Sequence, residues 1–305
     1  MQEFFIKKLL QLKDFVQDTY LLPKRLKLNT QELGKELSPV FVIGANRSGT
    51  SIITSVFSQH PDLEGIFGHT NLQYDESGHS VGFCESMHIW PHLMPDPEER
   101  RPFGQLPYWA LPGYLGLNYR NKIKSNREKN SLIWRMQRFR QTGKSPLLKD
   151  QFNTLRIGMI KDVFPRARFL LCWRSLEDFS ARGIHKWAND NSGTSFDLPF
   201  ASFHWHMVNI IARYDLEIYF PGQYAVISLD ELHIDQYRAE IAFANAAACL
   251  SLKEYSFDLE TLSINWKKDS SKNAERLSIQ EQDLADIAHL VRKEREIISA
   301  MQKKG

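Results

Sequence analysis

The sequence is short of cysteine. Its 305 residues hold only three, Cys84, Cys172 and Cys249, far apart and odd in number. They form no Cys-x-x-Cys pair and no zinc-ligand spacing, so a disulfide scaffold and a structural zinc site are both excluded and a reducing compartment is expected. Long apolar runs are missing as well: none approaches the roughly 18 residues that a membrane-spanning helix needs. Charge of one sign is not in excess. The 39 Lys and Arg against 36 Asp and Glu leave +3, too little to argue for nucleic acid as a partner. There is no internal repeat and no low-complexity linker. A chain of this length can build one large α/β domain or two small ones. The simplest account is a single domain over residues 1–305, carrying an N-terminal helix at 1–30 and an insertion at about 93–145 on the acceptor side.

One absence is more specific. Gly44 and Gly49 stand at the Gly-x-x-x-x-Gly spacing of a Walker A loop, but the next residue is Thr50, not Lys. The Lys that reaches the β- and γ-phosphates of a nucleoside triphosphate is therefore missing. A Walker B run of apolar residues ending in Asp is not evident either. Both gaps argue against a kinase or ATPase, which stays open as the alternative enzyme.

What is present around those glycines organises the rest of the chain. Val40 to Ile43 is a short apolar run of β-branched and aromatic residues, the pattern of a parallel strand covered on both faces. Gly44 and Gly49 allow a sharp turn and a close approach to a ligand. Ile52, Ile53, Val56 and Phe57 then take up helical spacing. A helix that starts there offers its N–H groups and its dipole to an anion. Ser48, Thr50 and Ser51 add hydroxyl donors, and Arg47 adds a guanidinium fork suited to bidentate anion binding.

Downstream the strand–charge–helix rhythm repeats. Pro146 to Asp150 reads as a short strand ending in Lys149, with a helix to Phe164-Pro165. Ala167 to Arg174 reads as a second buried strand ending in a cation, with Glu177 and Asp178 opening a helix. A long helical region surrounds Phe203 to Ile211, Tyr224 to Leu229 reads as a further strand, and an Ala-rich helix covers 236–250. The expected fold is α/β: a three-layer α/β/α arrangement with a central parallel sheet and a P-loop-like phosphate-binding loop. Residues 62–92 lack a long periodic segment. Residues 93–118, dense in proline and aromatics, read as an ordered loop or lid. Between 120 and 144 the chain turns basic, either as a solvated helix face or as a landing surface for an anion. The N-terminal helix has an apolar face with Lys7, Lys8 and Lys13 between, read as packed on the domain or on a second subunit, or else laid on a membrane surface.

Four landmarks in this order resemble the sulfotransferases that use 3′-phosphoadenosine-5′-phosphosulfate (PAPS). They are the loop Arg47-Ser48-Gly49-Thr50-Ser51 with His60-Pro61 behind it; Leu147-Leu148-Lys149-Asp150 with Leu155-Arg156; Phe164-Pro165-x-Ala167-x-Phe169 running to Arg174; and Tyr224 to Ile227 with Asp230-Glu231-Leu232. They span roughly residues 39–250 and look closest to the bacterial and Golgi-type branches, whose loop carries Arg. Two features depart from the family pattern: Ser175-Leu176 stands where Asp-Pro or Asn-Pro is usual, and Arg182 stands where a 3′-phosphate Ser is usual, with Ser180 two residues earlier.

The resemblance implies roles. Backbone N–H groups of 47–51, with the Thr50 and Ser51 hydroxyls, would take the 5′-phosphate. Arg47 would stabilise charge on the transferring group, and Lys149 would support either that site or the 3′-phosphate site. Arg174, with Ser180 or Arg182, would take the 3′-phosphate. The family's base is a Glu or His soon after the loop, for which Glu85 is preferred over Glu64, His69, Glu76, His79 and His88. No metal is implied. The acceptor would be a carbohydrate or glycolipid hydroxyl, anionic if the basic stretch is its landing surface. No nucleic-acid partner and no transmembrane segment are expected, a homodimer is allowed, and the place is the cytoplasm, most simply of a bacterium. A nucleotide-binding scaffold that has lost its base is the non-enzymatic alternative.

Overall fold

A computed structural model of the chain describes residues 34–45, 48–66, 129–130, 132–133, 136, 143–150, 153–154, 156–175, 198–232 and 235–259, without the side chains of 198–204, 206–207 and 210. The expected N-terminal helix and nearly all of the 93–145 insertion lie outside these residues.

The first strand, β1 (Val40–Gly44), is buried at every position, as an unbroken apolar run requires. It leads into helix α1 (Thr50–Phe57). Next come β2 (Leu63–Gly65), β3 (Ser145–Lys149), helix α2 (Ile157–Val163) and β4 (Arg168–Trp173). Helix α3 (Leu198–Tyr219), β5 (Tyr224–Ser228), the short helix α4 (Leu229–Leu232) and helix α5 (Gln236–Cys249) complete the described elements. The strands form one sheet in the order β2-β3-β1-β4-β5, and every pairing is parallel. β1 is thus central. The register sets Val42 opposite Lys149 on β3 and Gly44 opposite Cys172 on β4.

Alternate residues of each strand point to opposite faces, and each face has its own core. Phe41, Ile43, Leu148, Phe169 and Leu171 pack under Ile157 and Ile160 of α2 and Ala212 and Leu216 of α3. Val40, Val42, Leu147, Leu170 and Ile227 pack under Ile53, Val56 and Phe57 of α1 and Phe243 of α5. This is the expected three-layer α/β/α arrangement. It also makes β1 a switch point. The helix after β1 covers one face, while those flanking its neighbours β3 and β4 cover the other. A crevice must open at the carboxyl ends of β3, β1 and β4, where the layers diverge.

Aromatic packing holds the layers together. The Phe41 ring stacks on Phe169 with centroids 5.4 Å apart, and Phe220 tilts against Phe169 at 4.7 Å. On the other face Phe257, from the irregular segment after α5, meets Phe57 at 5.2 Å and Phe243 at 5.5 Å. Gln59 and the Asp258 backbone exchange two hydrogen bonds, Gln59 Nε2 donating to the carbonyl and the Asp258 N–H donating back. His60, one of the landmarks, is buried against Tyr255 and bonded to the Lys253 carbonyl, so its place is structural.

Two details differ from the sequence-based expectation. Leu63–Gly65 forms an edge strand, extended by Ile66 N–H donating to the Leu147 carbonyl. Leu229, expected to close β5, opens α4. No helix among the described residues is long and apolar enough to cross a membrane.

The stacked pair at the centre gives a test. Phe41→Ala removes a fully buried ring and is expected to cost about 3–5 kcal/mol, measured as a fall in the urea midpoint with an unchanged slope.

Candidate functional site

The site begins where β1 stops. Gly44 has φ +147°, a conformation that side-chain-bearing residues rarely hold. A Cβ there would sit 2.6 Å from the Cys172 carbonyl oxygen and 2.8 Å from Ser48 Oγ, so the chain can turn out of β1 beside β4 only as bare backbone. Gly49, at φ +84°, is the N-cap of α1 and supplies no capping side chain. The first-turn N–H groups of Thr50, Ser51 and Ile52 therefore have no partner within the helix. No acidic residue occupies that turn. Ser48 turns both of its donors on the Ala45 carbonyl, the hydroxyl at 2.5 Å and the N–H at 3.2 Å, and so shapes the loop from within. Thr50 is buried and Ser51 is exposed.

The turn after β3 clamps this loop from one side. Thr154, fully buried, accepts the Gly44 N–H at 3.1 Å, with its hydroxyl 3.5 Å from the Gly44 carbonyl. The turn is itself fastened by a buried ion pair, Arg156 Nη1 to Asp150 Oδ2 at 3.4 Å. Asn153 is buried beside it, and neither amide atom has a hydrogen-bond partner among the described residues. Lys149 ends β3 and is only 3% exposed. Burial drives the Cys172 thiol far above its ordinary range and Lys149 opposes that rise. The Lys149 ammonium thus lies within electrostatic reach of β4, across the end of β1.

The end of β4 is held from the other side. Arg174 is 3% exposed. Trp205 Nε1 donates to its carbonyl at 2.8 Å, and the next N–H, that of Ser175, donates to Asp230 Oδ2 at 2.6 Å. Trp173 lies edge-on to Trp205 at 4.7 Å, with the Arg213 guanidinium 4.7 Å over its ring.

The structure thus places Ser48, Gly49, Thr50, Ser51, Lys149 and Arg174 at the carboxyl edge of three neighbouring strands. Arg47, Glu85, Ser180, Arg182, His69, Glu76, His79 and His88 lie outside the described residues. Glu64 falls at the wrong end. It pairs with Pro146, three residues before Lys149, which at ~3.3 Å per residue puts it roughly 10 Å back toward the amino edge of the sheet. Two residues that hold the site went unread in the sequence, Thr154 and Trp205, and Asp230 was read as part of a landmark without a role of its own. Only Asp230 left a local signal, an acid directly after a strand at a cation-rich sheet edge.

Fold and site define a class: parallel α/β proteins with a glycine-bounded loop at the switch point, feeding a helix whose N-cap has no side chain. Two buried cations flank that loop. The comparisons narrow the class. A model of the sulfotransferase family matches residues 39–207, more than half of the chain, and the chain belongs to that family. Among solved structures, it resembles a sulfotransferase from Mycobacterium tuberculosis at 14% identity and TM-score 0.51, over 82% of this chain and 80% of that one. This likeness concerns the fold. Sulfotransferases from Mycobacterium avium (14% identity, 97% and 81% of the two chains, TM-score 0.48) and Alicyclobacillus acidocaldarius (14%, 84% and 96%, TM-score 0.46) resemble it less closely. No curated protein sequence matches the chain.

The Thr154 clamp is testable. Thr154→Val keeps the volume but strands the buried Gly44 N–H, an expected loss of about 1–3 kcal/mol. Thr154→Ser keeps the acceptor and is expected to lose much less. Paired thermal and urea unfolding of both variants reads the difference.

Proposed function

We propose that the chain moves a sulfuryl group from PAPS to an acceptor hydroxyl. The observation that carries this reading is the buried Arg174 at the end of β4, on the strand next to the glycine-bounded loop that ends β1. A nucleotide with anions at both ends of its sugar needs two anion sites on adjacent strands. A triphosphate needs a Lys after Gly49, where this chain has Thr50. The residues fit the nucleotide in a second respect. Gly49 brings no capping side chain to α1, so the first-turn N–H groups are available to a phosphate.

In this reading the loop N–H groups and the hydroxyls of Thr50 and Ser51 bind the 5′-phosphate. Arg174, with Ser180 or Arg182, binds the 3′-phosphate. Arg47 and Lys149 stabilise charge on the group in transfer. Positioning and preorganised positive charge supply most of the catalysis, because attack and departure are in line and the protein forms no bond of its own. The acceptor hydroxyl also needs a base to take its proton as the new bond forms. Glu85 is the residue we assign to it, ahead of Glu64, His69 and His88. The acceptor is a carbohydrate or glycolipid, with 120–144 as an anion-attracting surface and Tyr108 and Trp109 available to stack on sugar rings. We place the reaction in the cytoplasm, in keeping with Cys172 and Cys249, which are both free thiols.

Calorimetric titration tests the reading. Adenosine 3′,5′-bisphosphate is expected to bind the wild type, with ATP and Mg²⁺ far weaker. Arg174→Ala is expected to weaken the bisphosphate by roughly 10- to 100-fold, the scale of a lost hydrogen bond to a charged group. Preference for ATP would restore the kinase alternative. Tight binding without sulfate transfer to any of a panel of sugar acceptors would favour the scaffold.

A further inference from the structure

The junction between β5 and α4 carries two adjacent residues that reach different parts of the site. Leu229 is 2% exposed, and its Cδ atoms stand 2.7 and 2.9 Å from where a Gly49 Cβ would be. It therefore packs against the backbone of the loop at the N-cap of α1. Asp230, the next residue, accepts the Ser175 N–H at 2.6 Å. β5 is bonded to β4, with Ser228 opposite Trp173, and β4 lies between β5 and β1. Leu229 spans β4 on the α1 face of the sheet, in the same core as Cys172 and Ile53. One dipeptide touches both the loop and the segment that bears Arg174.

The bond to Ser175 has a particular geometry. The Arg174 carbonyl and the Ser175 N–H belong to one peptide group. Trp205 Nε1 donates to the carbonyl, and Asp230 accepts from the N–H. A peptide is planar, so fixing both of its polar ends fixes its rotation about the chain. That rotation sets the direction in which the Arg174 side chain leaves the backbone. The acceptor is a carboxylate, and such bonds are shorter and stronger than neutral ones.

We infer that Asp230, with Leu229, is a positioning element that sets Arg174 relative to the anion loop, so that the site accepts a nucleotide phosphorylated at both the 5′ and the 3′ positions. The inference rests on the reading of Arg174 as the 3′-phosphate ligand. Asp230 itself does not contact the nucleotide. It acts through the 174–175 peptide, and Leu229 keeps that peptide in step with Gly49. Loss of the Asp230 bond lets the Arg174 segment rotate while the α1 N-terminus keeps its place. The consequence is selective: affinity for the 3′-phosphate falls and affinity for the 5′-phosphate does not.

The test compares two ligands that differ only in that group, adenosine 3′,5′-bisphosphate and adenosine 5′-monophosphate, titrated into the full chain. In Asp230→Ala the bisphosphate is expected to weaken by about tenfold, the scale of a misdirected charged hydrogen bond. The monophosphate should stay close to its wild-type affinity. Asp230→Asn keeps an acceptor for the Ser175 N–H and is expected to restore most of the difference. Trp205→Phe, which removes the donor to the other end of the same peptide, is expected to show the same selective loss and serves where Asp230→Ala does not fold. Equal weakening of both nucleotides, or unchanged preference in Asp230→Ala and Trp205→Phe, would overturn the inference while leaving Arg174 as the ligand. A wild type that does not prefer the bisphosphate over the monophosphate would remove the reading of Arg174 and the inference with it.

Discussion

The structure depends on one close approach. At the end of β1 the chain runs so close to the Cys172 carbonyl of β4 and to Ser48 that Gly44 can carry no side chain, at a φ that few other residues hold. Everything nearby answers to that glycine. Its N–H leaves the sheet and would be stranded in a buried place, so Thr154 comes from the β3 turn to accept it. The loop then closes on itself through Ser48 and the Ala45 carbonyl. Gly49 opens α1 without a capping side chain, so the first-turn N–H groups have no partner within the helix.

Charge is arranged to the same end. Lys149, Arg156 and Arg174 are all buried at the carboxyl edge of the sheet. Burial of a cation is costly unless opposing charge or hydrogen bonds compensate, and Asp150 does this for Arg156. An anion bound between β1 and β4 meets groups already withdrawn from water, where attraction is stronger than at a surface. The sheet thus holds its positive charge in place before any substrate arrives, which is what transfer of a sulfuryl group asks of a protein that supplies no bond of its own.

Much of this was legible in the sequence because it is local. Val40 to Ile43, Leu147-Leu148 and Phe169 to Cys172 are contiguous apolar runs, and a strand buried on both faces must look like that. The glycines at 44 and 49 mark the loop, and Lys149 and Arg174 stand out as cations closing apolar strands. β2 was hidden because Leu63-Glu64-Gly65 is short and charged at its centre. Its register sets Glu64, whose nearness to the loop in sequence had made it a candidate base, opposite Pro146 toward the amino edge of the sheet. The clamps were hidden for a different reason. Thr154 meets Gly44 across 110 residues and Asp230 meets Ser175 across 55, and a single hydroxyl or carboxylate leaves no periodic trace. Such contacts become visible only once the sheet order is known.

In the proposed function one sheet edge holds both phosphates of a 3′,5′-bisphosphorylated nucleoside, one at the α1 N-terminus and one at Arg174. A crystal structure grown with adenosine 3′,5′-bisphosphate tests it most directly. The account predicts the 5′-phosphate within hydrogen-bond distance of the first-turn N–H groups of Thr50 to Ile52, with the 3′-phosphate on the Arg174 guanidinium. A nucleotide bound away from the end of β1, or with its 3′-phosphate out of reach of Arg174, would contradict it.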